Sequence, residues 1–300
     1  MLRLTYTLLA AGALITVVPS AAHSQDKPSP TSVSVSGDGP ETIVLLSGLV
    51  GGVAGYRRLE ARLVAKQQRV VIIDPYLLSI DSTDVSFAAQ ARRVDRVLDS
   101  LGVTDAKVVG HGHAAGVALR LAANAPQRVR ALYFLDVGAL PDHRSPVFSA
   151  SLRFVPFITR LPGGQGFVRR RFVRALHESS GPNPWLDAAT ERAYTEPMFD
   201  GIDRAISLAM RLRRASEPEP LTAVVARVRV PVTVLLGGAP HTAGPVDGEL
   251  SALETLGSLL RVETMEGVGH FPHEEAPDAV ARQLLEPHRE VVAATPGGAR

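Results

Sequence analysis

The sequence predicts an α/β fold in which a doubly wound, mostly parallel sheet carries an inserted helical cap. Short apolar runs alternate with amphipathic segments, the pattern of strands buried between two layers of helices. A length of 300 residues, of which 45% are hydrophobic, is sufficient for a core of this kind. The alternation stops between Asp136 and Val230, where a helical, arginine-rich stretch is interrupted by Pro and Gly clusters. That stretch is predicted to be the cap.

Six runs are predicted to be strands because they are short, rich in Val, Ile and Leu, and bounded by turn residues. In chain order they are Ile43–Leu46, Arg69–Asp74, Lys107–Gly110, Val129–Asp136, Val230–Leu236 and Leu259–Met265. Right-handed crossovers between parallel strands then give a doubly wound sheet. In such a sheet the functional site lies beyond the carboxyl ends of the strands.

Four segments that follow these strands have the apolar spacing of helices. They are Tyr56–Lys66, Val85–Leu101, the stretch ending at Asn124, and Ala276–Leu285. The strands and these helices define a predicted core of residues 41–139 and 221–286. Residues 140–220 form the predicted cap, and residues 287–300 a predicted flexible tail.

The N-terminal residues 1–24 have the pattern of a secretory signal peptide. Arg3 precedes the apolar run Leu8–Val18, and small residues suited to cleavage follow, at Ala22 or Ser24. The run is short for a spanning helix of ~20 residues, although an uncleaved anchor is the alternative. We therefore expect an exported bacterial protein, periplasmic or secreted, without a stable membrane span after signal removal. Residues 25–40, rich in Ser and Pro, are predicted to be a linker.

Charge and cysteine content exclude several function classes. The chain has 32 basic and 30 acidic residues, and its basic residues form no stripe interleaved with aromatics, so we expect no nucleic-acid partner. Arg169–Arg171 is interpreted as a solvated helix face. The chain has no cysteine, which excludes a disulfide framework and a thiol nucleophile.

The segment Lys107–Gly116 is predicted to be a buried strand, a sharp turn and the start of a helix. This is the layout of a nucleophile elbow, G-x-S-x-G, which exposes a serine hydroxyl at the edge of a sheet. Here the pattern is Gly110, His111, Gly112, His113 and Ala114. Gly112 occupies the nucleophile position and has no hydroxyl. Because glycine tolerates positive φ, the turn is expected to persist without the serine.

With this elbow, the order of the segments resembles the α/β-hydrolase superfamily, in its esterase-like or lipase-like form with a helical cap. Ser47–Gly51 is similar to the family's oxyanion loop, and Gly267–Pro277 to the loop that carries the catalytic histidine. Pro231–Gly237 is similar to the strand that leads to the catalytic acid. Pro240 stands where that acid is usual.

The resemblance implies roles for individual residues. His270 matches the catalytic histidine and would be the general base of an active protein. Asp136 is a candidate acid, because some members of the superfamily place the acid after this strand; Asp247 is a weaker candidate. The backbone N–H groups of Leu49 and His113 match the oxyanion hole.

Ser47, His111 and His241 are expected to lie in the same pocket. Several histidines are thus predicted near one strand edge, and imidazole is a common metal ligand. No local H-x-x-x-H spacing or carboxylate pair supports a metal site, so we predict no metal and no cofactor.

Glycine at the elbow removes the nucleophile that acyl transfer through a serine requires. The sequence therefore predicts a non-hydrolytic homologue that binds a small apolar ligand or a partner. The alternative is a hydrolase or lyase-like enzyme that uses His270 as a general base, without a covalent serine intermediate. An accessory protein without any ligand is a third possibility.

Overall fold

A computed structural model describes residues 32–138, 140, 150–241 and 248–286. The predicted signal peptide 1–24, the tail 287–300 and Asp247 lie outside the described residues. Among the described residues no helix is long and apolar enough to cross a bilayer.

The described residues form one sheet of seven strands. The strands are β1 (Val33–Ser36), β2 (Thr42–Leu46), β3 (Arg69–Ile73), β4 (Ala106–His111), β5 (Val129–Leu135), β6 (Val232–Gly237) and β7 (Leu260–Met265). Their order is β1-β3-β2-β4-β5-β6-β7, and every neighbouring pair except β1 with β3 is parallel. The predicted doubly wound, mostly parallel sheet is confirmed.

Strand β1 corrects part of the predicted linker 25–40. It pairs antiparallel with β3, with Val33 opposite Ile73 and Ser36 opposite Val70. The Val-Ser-Val-Ser sequence alternates apolar and polar residues with the period of a half-buried edge strand. The sequence predicts a linker here because the strand is only four residues long and its neighbours are rich in Ser and Pro.

Helices cover both faces of the sheet. They are α1 (Arg57–Val64), α2 (Phe87–Ser100), α3 (Ala114–Asn124), α4 (Val155–Arg160), α5 (Gly164–Glu178), α6 (Ala188–Asp200), α7 (Ile202–Leu212), α8 (Leu221–Val225), α9 (Glu249–Glu254), α10 (Pro272–Glu275) and α11 (Pro277–Leu285). The four helices predicted outside the cap correspond to α1, α2, α3 and α11, with ends that differ by a few residues.

The core has two layers because successive residues of a buried strand point to opposite faces. In β2, Val44 packs with the α2 and α3 side of the sheet. Its neighbours Ile43 and Leu45 pack with α1 and α11 on the other side. Both layers are apolar, which explains why the central strands have continuous apolar sequences.

The cap helices lie between β5 and β6, as the sequence predicts. A short 3₁₀ helix (Ala150–Phe154) precedes α4, and α5 to α7 follow. Leu208 and Leu212 of α7 pack on Tyr76 of the core, next to Leu49. A second apolar contact joins Trp185 of the cap to Phe271, beside the predicted base. The cap therefore covers the carboxyl edge of the sheet.

Candidate active site

The elbow is held in place by its backbone. Strand β4 ends at His111, and Gly112 follows with φ of +52° in the left-handed region. The Gly112 N–H donates to the carbonyl of Leu135 at 3.0 Å, and the Ala115 N–H donates to the carbonyl of Gly112 at 3.1 Å. Neither bond involves a side chain at position 112. Glycine adopts this conformation without the steric cost that another residue would have.

His270 and Asp136 form a short hydrogen bond beside this turn. His270 lies in the loop between β7 and α10, and Asp136 follows β5. The distance from His270 Nδ1 to Asp136 Oδ2 is 2.6 Å. Because the carboxylate is the acceptor, Nδ1 carries the hydrogen and the neutral ring has its lone pair on Nε2. That nitrogen lies 3.5 Å from the position where a Cβ on Gly112 would stand.

The Asp136 carboxyl is fully buried, and its surroundings keep it ionised. Burial by itself raises the pKa of Asp136, but hydrogen bonds from His241 and His270, the charge of His270 and the Gly237 N–H outweigh burial and lower the pKa to about 2. The Gly237 N–H donates to Oδ1 at 3.0 Å. At neutral pH the carboxylate is therefore charged and can stabilise a protonated His270.

His241 is a second histidine on the same carboxylate oxygen. Its Nε2 lies 2.9 Å from Asp136 Oδ2, and its Nδ1 lies 2.7 Å from the carbonyl oxygen of Ala239. Both partners only accept hydrogen bonds when Asp136 is ionised, so the two bonds require a hydrogen on each ring nitrogen. This geometry fits the imidazolium form of His241. His241 thus adjoins Pro240, the position where the family usually has its acid.

His111 lies under the loop that carries His270. Its ring centroid is 4.6 Å from that of His270, and its Nε2 donates to the His270 carbonyl at 2.8 Å. Burial and the nearby charge of His270 lower the pKa of His111 to about 3, and the same causes lower the pKa of His113 to about 3. Both rings are neutral at physiological pH. His111 supports the backbone of the base, whereas His113 directly precedes α3.

The loop after β2 runs along the same edge as the elbow. Leu46 pairs with Gly110 in the sheet, so the residues after each of them are neighbours. Ser47 is buried and donates its N–H to the carbonyl of Ile73 at 3.0 Å. Leu49 packs with the apolar residues under the cap. The structure brings this loop beside the turn that contains His113, and the oxyanion role of the two backbone N–H groups stays a prediction.

Asp136, His241 and His270 each have one atom within 4.8 Å of the others, a spacing that a metal ion also accepts. The two short N–H to carboxylate hydrogen bonds already account for this spacing. Hydrogens fit between these atoms without rearrangement, whereas an ion would require both nitrogens to lose theirs. The prediction of no metal stays a prediction.

Glu275 was not singled out in the sequence, although it fixes the loop that carries the base. Its Oε2 accepts the N–H groups of Gly269 at 2.9 Å and Gly181 at 2.8 Å. The N–H of His270 itself donates to the carbonyl of Ser179 at 2.8 Å. The only local signal is a carboxylate five residues after His270, and its cap partner is 94 residues distant in sequence.

Glu274 forms a second polar contact between core and cap. It is buried, accepts a hydrogen bond from the Tyr194 hydroxyl at 3.1 Å, and lies 3.4 Å from the Nε of Arg58. Burial raises the pKa of Glu274 to about 7 although Tyr194 and Arg58 lower it. This carboxyl therefore titrates near neutral pH at the boundary of the cap.

The sequence model described as the alpha/beta hydrolase family matches residues 43–283. The chain belongs to the alpha/beta hydrolase family. The matched residues include both halves of the sheet, the cap between them and the loop that carries His270.

Similar proteins in this family differ in the reactions for which they are named. A RutD protein of Azorhizobium caulinodans, named for carbamate hydrolysis, is 36% identical over 107 residues, which cover 35% of this chain and 40% of RutD. A 2-heptyl-3-hydroxy-4-quinolone dioxygenase of Rhodococcus erythropolis is 27% identical over 257 residues, covering 82% of this chain and 85% of the dioxygenase. Membership of the alpha/beta hydrolase family therefore does not fix the reaction.

Solved structures agree with this family membership at the level of the fold. The crystal structure of Cfl2 from Burkholderia cenocepacia superposes with a TM-score of 0.62 and 24% sequence identity. The superposition covers 84% of this chain and 90% of Cfl2.

Proposed function

We propose that this chain is a member of the alpha/beta hydrolase family that does not form a covalent serine intermediate, and that His270, oriented by Asp136, is a general base toward a small apolar substrate. The observation that carries the proposal is the 2.6 Å hydrogen bond between His270 Nδ1 and Asp136 Oδ2 next to a glycine at the nucleophile position.

The geometry supports proton abstraction by His270 Nε2. Asp136 holds the hydrogen on Nδ1, so the lone pair of the neutral ring faces the space above Gly112. After the proton is taken up, the ionised carboxylate stabilises the imidazolium that forms. A positioned base of this kind typically contributes ~10²–10⁴-fold to a rate. Without a hydroxyl at position 112, no acyl-enzyme can form there.

The apolar residues next to the elbow support a small apolar substrate. Leu49 packs with apolar residues of the cap, including Leu208 and Leu212. His270 supplies the polar function, and its side chain is 18% exposed. A molecule with an apolar body and one weakly acidic O–H or C–H group fits this combination. The quinolone named for the Rhodococcus relative has this chemistry, which supports its use as a first probe.

A non-catalytic ligand-binding protein is the second candidate. The observation that favours it is the simultaneous loss of two groups, the serine at Gly112 and the usual acid at Pro240. Export to the periplasm or the exterior is part of the proposal under either function, and it is supported by Arg3 and the apolar run Leu8–Val18.

The first experiment follows ionisation of the bound probe. Wild-type protein is mixed with 2-heptyl-3-hydroxy-4-quinolone, and the ultraviolet spectrum and oxygen uptake are recorded. We expect the spectrum of the deprotonated quinolone with wild type and of the neutral quinolone with His270→Ala. Asp136→Asn is expected to weaken ionisation while binding persists.

Other results of these experiments would contradict specific parts of the proposal. Binding without ionisation by wild type would support the non-catalytic candidate and contradict the general base. Covalent labelling of wild type by a fluorophosphonate would contradict the absence of a covalent hydrolytic route. Ester turnover that disappears in His270→Ala without such labelling would support His270 as the general base for direct attack by water. A probe that does not bind would contradict the proposed substrate class.

A further inference from the structure

Large apolar side chains are exposed on one part of the cap. In the part of the chain that the structure describes, the exposed large hydrophobic residues are Val35, Phe154, Phe157, Leu161, Phe167 and Val262. Four of these six lie within the fourteen-residue stretch from Phe154 to Phe167. Phe157 is 63% exposed, and the other three in the stretch are 47–51% exposed. Single exposed hydrophobic residues are ordinary, whereas a cluster marks an interaction site.

The cluster has a regular geometry. Phe154 ends the 3₁₀ helix, Phe157 lies in α4, and Leu161 directly follows α4, so the three residues are three and four positions apart in one short segment. Phe167 lies in the first turn of α5, directly after the short turn that joins the two helices. These four residues are called the outer apolar face below. The same segment has an inner side, because Leu152 packs toward Tyr76 and Leu49.

The segment that carries the outer apolar face has an excess of arginine. Residues 143–177 contain seven arginines and no aspartate or glutamate. Among the residues of this segment that the structure describes, the exposed arginines are Arg153, Arg160, Arg170, Arg171 and Arg174. Arg160 pairs with Asp203 of α7, and the guanidinium of Arg153 lies 4.7 Å from the ring centre of Phe154. A shallow depression of about 600 Å³ beside α5 is lined by Arg169, Arg170, Arg174 and His177, together with Glu178 and Glu191.

Arg169 is the exception within the run Arg169–Arg171. It donates to the Thr195 hydroxyl at 2.9 Å and lies over the ring of Phe199, so it packs inside the cap. The interpretation of this run as a solvated face therefore holds only for Arg170 and Arg171.

We propose that the outer apolar face and its surrounding arginines dock the protein onto the surface of an anionic phospholipid bilayer. Phenylalanine and leucine side chains of a surface helix enter the boundary between headgroups and acyl chains. Arginines beside them are attracted to the negative surface, each increasing the affinity by about fivefold. A second copy of this chain would bring the same cations together, so like-charge repulsion opposes that occupant.

The lipid surface would then contact the cap from outside, while the inner side of the same segment covers the loop of Leu49. This inference is independent of the reaction at His270. The proposal concerns the location at which the protein acts. It depends only on residues at the surface of the cap.

Because the chain has no cysteine, a single introduced cysteine can be labelled at one chosen position. A single cysteine at Phe157→Cys carries an environment-sensitive fluorophore, and the matched control carries the label at Val262→Cys, another exposed hydrophobic position, on β7. Both full-length proteins share the same N-terminus, so any membrane binding by that segment affects both labels equally. Vesicles of phosphatidylcholine, with or without phosphatidylglycerol, are added.

We expect the label at position 157 to shift to shorter wavelength with anionic vesicles and to be quenched by nitroxide lipids, whereas the label at position 262 does not respond. Arg170→Gln with Arg171→Gln should weaken the response at 157 by about 25-fold in affinity. The matched pair Arg92→Gln with Arg96→Gln on α2 should leave it unchanged.

Three results would overturn the proposal. The first is a label at position 157 that stays in water, or responds no more than the label at 262. The second is an equal response to vesicles without phosphatidylglycerol. The third is a shift at 157 on raising the protein concentration without lipid, which would assign the face to contact between copies of the chain.

Discussion

Gly112→Ser is expected to create a working serine hydrolase site in this chain. An ideal Cβ at position 112 stands 3.5 Å from His270 Nε2 and 3.4 Å from His270 Cε1, distances of ordinary van der Waals contact. The rotamer that turns the hydroxyl toward the ring brings Oγ within ~2.6–3.2 Å of Nε2, the reach of a nucleophile and its base. Asp136 already holds the other ring nitrogen at 2.6 Å.

The Gly112→Ser substitution is expected to lower stability and to raise ester turnover. A non-glycine residue in the left-handed region costs roughly 1–2 kcal/mol, so the free energy of unfolding should fall by that amount. Assisted attack by a positioned base contributes ~10²–10⁴-fold, so ester turnover should rise by at least ~10²-fold over wild type. The gain will be smaller than in a natural enzyme, because His241 shares the carboxylate that orients His270.

The assay is turnover of an activated acetyl ester together with covalent labelling by a fluorophosphonate. Gly112→Ala is the matched control, since it has the same backbone strain and no hydroxyl. Gly112→Ser combined with His270→Ala should lose the new activity. If folded Gly112→Ser is unlabelled and no faster than Gly112→Ala, then His270 and Asp136 are not aligned with the elbow as the distances indicate.

Three further changes test other polar contacts. Burial raises the pKa of Glu274 to about 7, so between pH 4.5 and 7 the folded state retains a proton that the unfolded state loses. Wild-type stability should therefore fall by roughly 3 kcal/mol across that window relative to Glu274→Gln, as measured by urea unfolding. Glu217→Ala leaves the guanidinium of Arg120, which is 1% exposed, without its carboxylate at 2.8 Å, and should lower the free energy of unfolding by about 3–5 kcal/mol in the same assay. An unchanged midpoint would show that the pair is unimportant for stability. His241→Ala removes one of the hydrogen bonds that lower the pKa of Asp136 and should raise that pKa from about 2, read from its carboxyl carbon by NMR; a constant value would contradict the contribution of this hydrogen bond.

The fold could be predicted because its signals are local. Each central strand is a short apolar run, and its neighbours in space follow from the chirality of parallel connections. The strand at Val33–Ser36 was missed because four alternating residues next to Ser and Pro resemble a linker. Its assignment depends on the partner β3, which local sequence does not reveal.

The candidate site was predictable where a residue stands in a recognisable loop. Gly112, His270 and Asp136 are near one another in the structure because each follows the carboxyl end of a parallel strand or precedes a helix at that edge. His241 was placed in the pocket, but its two hydrogen bonds depend on the angle of a loop. Glu275 was missed for a related reason, since its main partner Gly181 belongs to the cap.

The loop that carries His270 is joined to the cap through the backbone, and this sets a mechanical constraint. Glu275 binds Gly181 and Gly269 together, and His270 donates its own N–H to Ser179. Lifting this end of the cap from the sheet would therefore pull the base away from Asp136. The cap cannot open here without switching the site off. A substrate can therefore enter beside an intact base only at the opposite end of the cap. The region after Ser179 is expected to stay attached to the sheet while the other end moves. The distance from His270 to Asp136 would then report the position of the cap.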